Sequence, residues 1–526
     1  MVASAHPLAS QIGLDVLRRG GTAVDAAIAT NAALGFLEPM SCGIGGDLFA
    51  IVWEAGARVL HGLNASGRAP AGITADAVRP RADGTIPLRG PETWTVPGAV
   101  DGWFQLHARF GKLTMAELLG PSVEAARRGE PVPQVIADAW QQAALLLRDT
   151  PGFAESFLPA GRAPRERELV ANPGLARAYE ALARDGADAF YRGPIADALA
   201  AFSAAVGGFL AASDLAEHRS TWVEPISTTY RGVEVWELPP NGQGLAALQM
   251  LNMLEGFDLA AMGRDSPDFW HLLVEVKKLA FADRARLYAD PEFATVPVER
   301  LLSKEYARER ARRVDMARAA MTVEPGLPAH EEGDTTYLAT ADAAGNMVSL
   351  IQSVYTAFGS GFALPGWGFA LQNRGAQFNL RPGSANHLQP RKRPFHTIIP
   401  AFATVGGEPG LAFGLMGGDM QPQGHAQILV NLLDLGMNLQ EAGDAGRFYH
   451  TRSSEPTGVE MTGGGLLALE GSVPPAVRLE LVRRGHCLQE ALPGRFGGYQ
   501  AVARDPVTGV LSGATEWRKD GCAVGY

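Results

Sequence analysis

The chain has 526 residues, 46% hydrophobic and 19% charged, which is an ordinary soluble globular composition. A single core rarely extends beyond about 250–300 residues, so either two domains or one large layered assembly is expected. A net charge of −10 argues against nucleic acid or an anionic membrane as the main partner. Three cysteines, Cys42, Cys487 and Cys522, give no disulfide framework and no Cys-x-x-Cys pair. The N-terminus lacks a basic region followed by an apolar run, and no stretch reaches roughly 18 uninterrupted apolar residues. A cytoplasmic enzyme is therefore expected, or a periplasmic one if the sequence is a trimmed form of an exported protein.

In chain order, residues 7–17 predict an amphipathic helix that stops near Arg19-Gly20-Gly21, and residues 22–36 an Ala-rich helix. Ser41 to Asp47 is a glycine-rich loop, and residues 49–53 read as a buried strand. Between about 100 and 330 the pattern is mostly helical. Examples are residues 112–128, 134–147, 245–254 and 266–288, with Pro267 in a tolerated first-turn position. The charge-dense residues 308–318 read as a solvated helix face. Near His330-Glu331-Glu332-Gly333 the texture changes to β. Residues 335–341 alternate, 342–346 turn, and 347–355 return as a strand. A second hairpin is expected from 397–405 and 411–416 around Gly406 to Gly410, then a helix over 423–435 packed on that sheet. The plan is helix-and-sheet layers, with the sheet largely in the second half.

Several catalytic patterns are absent. There is no Gly-x-Ser-x-Gly elbow and no His-Glu-x-x-His, and the eleven histidines are dispersed, so neither a metal nor a cofactor is expected. Gly43-Ile44-Gly45-Gly46-Asp47 precedes a strand where a dinucleotide loop needs a helix, so it reads as a tight turn with close backbone packing. Thr335-Thr336 at a strand start is by itself only β-propensity. Its downstream company gives it weight: Ser353, Leu371-Gln372-Asn373-Arg374-Gly375, Lys392 to Thr397, and Gly414 to Asp419 all sit at predicted strand ends. Arg374 reads equally as a paired structural ion or as an anion binder. Gly417-Gly418 reads as a simple turn or as two backbone N–H donors for an oxyanion, a role that needs close approach and no side chain.

Motifs along nearly the whole chain resemble the gamma-glutamyltransferases, a family of N-terminal-nucleophile hydrolases. They are Met1 to Ala9, Gly21 to Ala27, Cys42 to Asp47, Leu279-Ala280-Phe281-Ala282-Asp283-Arg284 and Asp520 to Tyr526. The resemblance implies an α+β fold, a four-layer αββα sandwich of two intertwined subunits from one precursor. Residues 1–334 would form a mostly helical large subunit with part of the sheet, and 335–526 a small subunit. Thr335 matches the family's catalytic threonine and Asp334 the last residue before the cut. Ser353 matches the hydroxyl that assists the nucleophile, and Gly417 and Gly418 the oxyanion pair.

The substrate-recognition positions depart from the family. Ser66 stands where members carry an arginine, and Arg68 is displaced by two residues. Tyr355 replaces an asparagine; Arg374 and Gln377 replace the glutamine and aspartate near the substrate ammonium; His396-Thr397 replaces a serine pair. The segment 379–391 is short. Arg374 would repel an ammonium at close range. The expected substrate is therefore a small amide with a carboxylate and no nearby amine, oxamate-like or glutaryl-like. Tyr355, Asn373, Arg374, Gln377, His396 and Thr397 are the candidate binding residues. Cleavage of a gamma-glutamyl amide is the first alternative, and an unprocessed, non-catalytic binding protein the second. The expected partners are the substrate and the chain's own two subunits as a heterodimer, with further dimerisation open, and no nucleic acid or membrane.

Overall fold

The computed structural model describes residues 1–324 and 334–526, except for the side chain of Asp334. Gly333 and the 330–332 segment lie outside the described residues. Two sheets face each other. One has seven strands in the order Cys522–Val524, Val2–Ser4, Asp334–Ala341, Met347–Tyr355, Asp47–Glu54, Val59–Ala65 and Thr221–Val223. The other has six, in the order Leu511–Thr515, Tyr499–Arg504, Glu408–Leu415, Ala401–Val405, Val233–Glu237 and Ile226–Tyr230.

Period-2 alternation builds the layers. In Asp47–Glu54, Phe49, Ile51 and Trp53 point between the sheets, where they meet Tyr337, Met347, Phe402, Ala412 and Val502. Leu48, Ala50 and Val52 point outward onto helices that include Ala23–Leu37 and Ala99–Phe110. On the far side, Ala401, Phe413 and Ala501 pack against Gly244–Leu254, Pro267–Leu287 and Met420–Leu433. The four-layer αββα arrangement agrees with the expectation from the sequence.

Several expectations need correction. The sheet, expected largely in the second half, draws almost equally on both, because six of the thirteen strands in the two sheets precede Asp334. The helix expected from 112 begins at Met115. Asp25 takes the N–H groups of Lys112 and Leu113 at 3.0 and 3.2 Å, and Thr114 then caps the helix in a capping box with Glu117. The charged run 308–318 is not one solvated face. Its helix, Lys304–Ala311, ends early, and Arg310 is buried, 3.3 Å from Asp283 and bonded to the carbonyls of Leu279 and Glu324. The second hairpin starts at Ala401 rather than 397. The backbone of 397–400 goes to glutamine side chains instead: Thr397 O accepts from Gln243, and Ile399 N donates to Gln421.

The glycine-rich loop is a close-packed turn, as expected. A Cβ on Gly45 would lie 2.0 Å from Ala370 O, and one on Gly46 would lie 2.3 Å from Ser353 O. Glycine at these positions lets the loop press against the end of Met347–Tyr355.

Candidate active site

Thr335 has the same parity as Tyr337 and Ala339, so its side chain faces the space between the sheets, at the head of an interior strand. Ser353, on the neighbouring strand, is directly paired with Asp47. Thr335 Oγ1 lies 3.3 Å from Ser353 Oγ. An irregularity in the pairing between Gln352 and Tyr355, with Tyr355 at φ 82°, turns the chain there. The Tyr355 N–H donates back to Ser353 Oγ at 2.8 Å.

Arg374 opens a short turn, Arg374–Gln377, and is fully buried. It donates to Ser353 Oγ at 2.8 Å and Thr397 Oγ1 at 2.7 Å, and its guanidinium sits 4.6 Å from the centre of the Tyr355 ring. No carboxylate of a described residue is within ion-pairing distance. Burial pulls its pKa down to about 10 against the opposing pull of Asp47 and Tyr355, so it stays cationic at neutral pH. Arg374 thus has no ion-pair partner among the described residues, although the Asp47 charge acts on it from farther away.

Gly417 and Gly418 link Glu408–Leu415 to Met420–Leu433 with φ of 114° and 55°. Both values favour glycine. Their carbonyls accept from Met420 N at 2.9 Å and Gln421 N at 3.2 Å. Because peptides are trans, the Gly418 N–H therefore points away from the helix. Neither glycine N–H donates to a described residue. The loop is tied to Thr335 by Gln421, whose side chain donates to Thr335 Oγ1 at 3.4 Å.

The other expected binding residues occupy a second layer. His396 gives Nε2 to Asp47 at 3.0 Å and Nδ1 to the Ile398 N–H at 3.4 Å, so both ring nitrogens are engaged. Burial, aided by the Arg374 charge and opposed by Asp47, pushes its pKa down to about 4 and keeps it neutral. Asn373 is bonded to Thr356 and Leu88 O, and Gln377 donates to the Tyr355 hydroxyl. Ser66 bonds to Asn64, while Arg68 pairs with Glu292 and Asp290, so neither joins the group around Thr335.

Sequence reasoning missed two members of the site. Gln421 lay just outside a helix read as starting at 423. Asp47, quoted only within the glycine motif, is a hub: besides His396 it accepts from Gly67 N, Gly98 N and the Gln372 side chain at 2.9–3.1 Å. Dispersal of the histidines in sequence also hid one cluster. His271, Glu275 and His486 place ligand-type atoms within 4.8 Å of one another. His271 and His486 bond each other at 2.8 Å and Lys278 holds Glu275 at 2.7 Å, so the group is internally satisfied. No helix among the described residues is long and apolar enough to cross a membrane.

The model of the gamma-glutamyltranspeptidase family matches residues 9–526. The glutathione hydrolase-like YwrD proenzyme of Bacillus subtilis is 36% identical, over 100% of this chain and 98% of its own length. The oxamate amidohydrolase proenzyme of Klebsiella pneumoniae is also 36% identical, with the same coverage. The crystal structure of cephalosporin acylase from Bacillus halodurans superposes with a TM-score of 0.91 at 45% identity, covering 99% of this chain and 94% of that one. The chain belongs to the gamma-glutamyltranspeptidase family of N-terminal-nucleophile hydrolases.

Proposed function

We propose that this protein is a self-processing threonine amidohydrolase that cuts its own chain between Asp334 and Thr335 and then hydrolyses a small amide bearing a carboxylate. In the first step Thr335 Oγ attacks the Asp334 carbonyl. The Asp334–Thr335 C–N bond breaks, the hydroxyl proton passes to the released amine, and water resolves the ester. Residues 1–334 and 335–526 become two subunits held together by shared sheets. The freed α-amine, with an ordinary pKa of about 7.7–8, then acts as general base for its own hydroxyl. In each turnover Oγ attacks the substrate carbonyl, the amine passes the proton to the leaving nitrogen, and water hydrolyses the acyl ester.

The Gly417 and Gly418 N–H groups would stabilise the oxyanion, a contribution typically worth about 3–4 kcal/mol of barrier. Ser353 would hold the nucleophile in line, and the branched threonine side chain limits its rotation.

The observation that carries the substrate class is Arg374: a buried cation with hydroxyl partners, one hydroxyl away from Thr335, and no carboxylate of a described residue within ion-pairing distance. A substrate carboxylate would supply the missing charge, with Thr397 beside it. Because the guanidinium is within two hydrogen bonds of Thr335 Oγ1, acids whose carboxylate lies close to the amide fit best. Oxamate, the substrate in the name of the Klebsiella relative, has the two groups adjacent.

A denaturing gel and an amide panel test this reading. Two fragments split at Thr335 are expected, with Thr335→Ala remaining whole and inactive. Oxamate should be preferred to a glutaryl anilide, and the glutaryl anilide to a gamma-glutamyl anilide, whose ammonium Arg374 repels, with no acceleration by a dipeptide acceptor. Cutting at the same bond in Thr335→Ala would remove Thr335 from the mechanism. A preference for the gamma-glutamyl anilide would overturn the substrate assignment.

A further inference from the structure

The motif Leu279 to Arg284 lies on the long helix Pro267–Leu287, far in sequence from every loop that surrounds Thr335. Its last residue nevertheless reaches the glycine pair. Arg284 is fully buried, 3.7 Å from the centre of the Phe281 ring and 5.3 Å from that of Phe395. One guanidinium nitrogen donates to Asp419 Oδ1 at 2.9 Å and also to Gln243 Oε1; another pairs with Glu455. Gln243 in turn donates through Nε2 to Gly418 O at 2.9 Å and Thr397 O at 2.7 Å.

Arg284 thus grips the glycine pair from both sides. It holds Asp419, the residue that follows the pair, and through Gln243 it holds the carbonyl of Gly418 and the loop that carries Thr397. The grip answers a physical need. Two consecutive glycines at positive φ have no side chains to fix them and wide backbone freedom. Donors aimed at a developing oxyanion work only if they are already in place when the charge forms.

We propose that Arg284 is the positioning residue of the Gly417-Gly418 loop, acting through Asp419 and Gln243, so that a helix remote from the substrate sets how well the transition state is stabilised. This rests on the reading of Gly417 and Gly418 as the oxyanion donors of a Thr335 amidohydrolase. An interaction realised only in the transition state lowers kcat and leaves KM nearly unchanged when it is weakened.

Two variants test it, each assayed per cleaved molecule on the best amide of the panel. Arg284→Lys keeps a positive charge beside Asp419 and Glu455 but loses the fork. Gln243→Glu is near-isosteric, still accepts from Arg284 and loses both Nε2 donors. Each should lower kcat by about 10-fold or more, with KM within about 2-fold and an unchanged circular dichroism spectrum. Inhibition by a boronic acid that forms a tetrahedral adduct on Thr335 should weaken by the same factor as kcat/KM. The double variant should be no slower than the slower single one, because both act through one loop.

If Arg284→Lys does not fold, Gln243→Glu alone decides. A folded Gln243→Glu enzyme with wild-type kcat, or one whose loss lies in KM, overturns the proposal. The wild-type control separates the two levels. A wild-type chain that neither cuts itself nor hydrolyses any amide refutes the underlying reading; a working wild type with unaffected variants refutes the positioning role alone.

Discussion

Replacing Arg374 with glutamine separates a binding cation from a structural one. In the free protein the guanidinium is fully buried, with hydroxyl partners and no carboxylate within ion-pairing distance among the described residues. An uncompensated buried charge is a liability for stability, so Arg374→Gln should leave the thermal midpoint unchanged or raise it. In the substrate complex the sign reverses. Removing one partner of a buried, hydrogen-bonded charge pair costs about 2–5 kcal/mol, which at about 1.4 kcal/mol per decade is a weakening of about 30-fold or more. Because Arg374 also bonds Ser353, some of the loss will appear in kcat, and a single substrate cannot apportion it. A cycle can: wild type and Arg374→Gln, each assayed on oxamate and on an amide of similar size without the carboxylate. The kcat/KM ratio between the two substrates should collapse by about 30-fold or more in the variant. An unchanged ratio, or a midpoint that falls by many degrees while the ratio holds, would show that Arg374 props up the site and recognises nothing.

Gly46→Ala should destabilise the chain by about 1–3 kcal/mol and slow self-cleavage, because the new methyl would lie 2.3 Å from Ser353 O. A wild-type time course on a denaturing gel would refute this. Gln421→Leu removes the donor to Thr335 Oγ1 and strands the Ile399 N–H, so kcat should fall by about 10-fold at unchanged carboxylate preference. Equal kcat would make the 3.4 Å contact incidental. His396 also predicts an acid limit. Its folded pKa of about 4 lies below the unfolded value, so its stabilising contribution is complete above about pH 6.5 and is lost as pH falls towards 4. That shift is worth about 3 kcal/mol, and a urea midpoint equal at pH 7 and pH 4.5 would contradict it.

Local signals carried much of this structure. The strands Asp334–Ala341 and Met347–Tyr355 were legible from alternation and the turn between them, and Thr335 stood out because the texture changes there. Gly417-Gly418 was legible because a glycine pair between a strand and a helix needs a backbone reason. Long-range pairing was not legible. Val2–Ser4 is three residues long, too short to show a period, yet it sits inside the main sheet. His396 looked like a substrate-binding group because nothing nearby in sequence announced Asp47 as its partner. Arg310 looked solvated because its neighbours are charged, and only the fold brings Asp283 to it.

The three-residue strand Val2–Ser4 lies between Cys522–Val524 and Asp334–Ala341 and pairs with Leu338 to Thr340, so residues near both ends of the chain and the strand that Thr335 opens share one ladder. A single chain closes these pairings within one molecule, at a high effective concentration. After the proposed cut the same ladder would join two separate polypeptides. A denatured mature enzyme must then recover by collision, at a rate that depends on its concentration, whereas the uncut precursor refolds independently of dilution. Under the proposed cleavage, maturation would free Thr335 as the nucleophile and turn assembly into a history that dilute, unfolded subunits do not readily repeat.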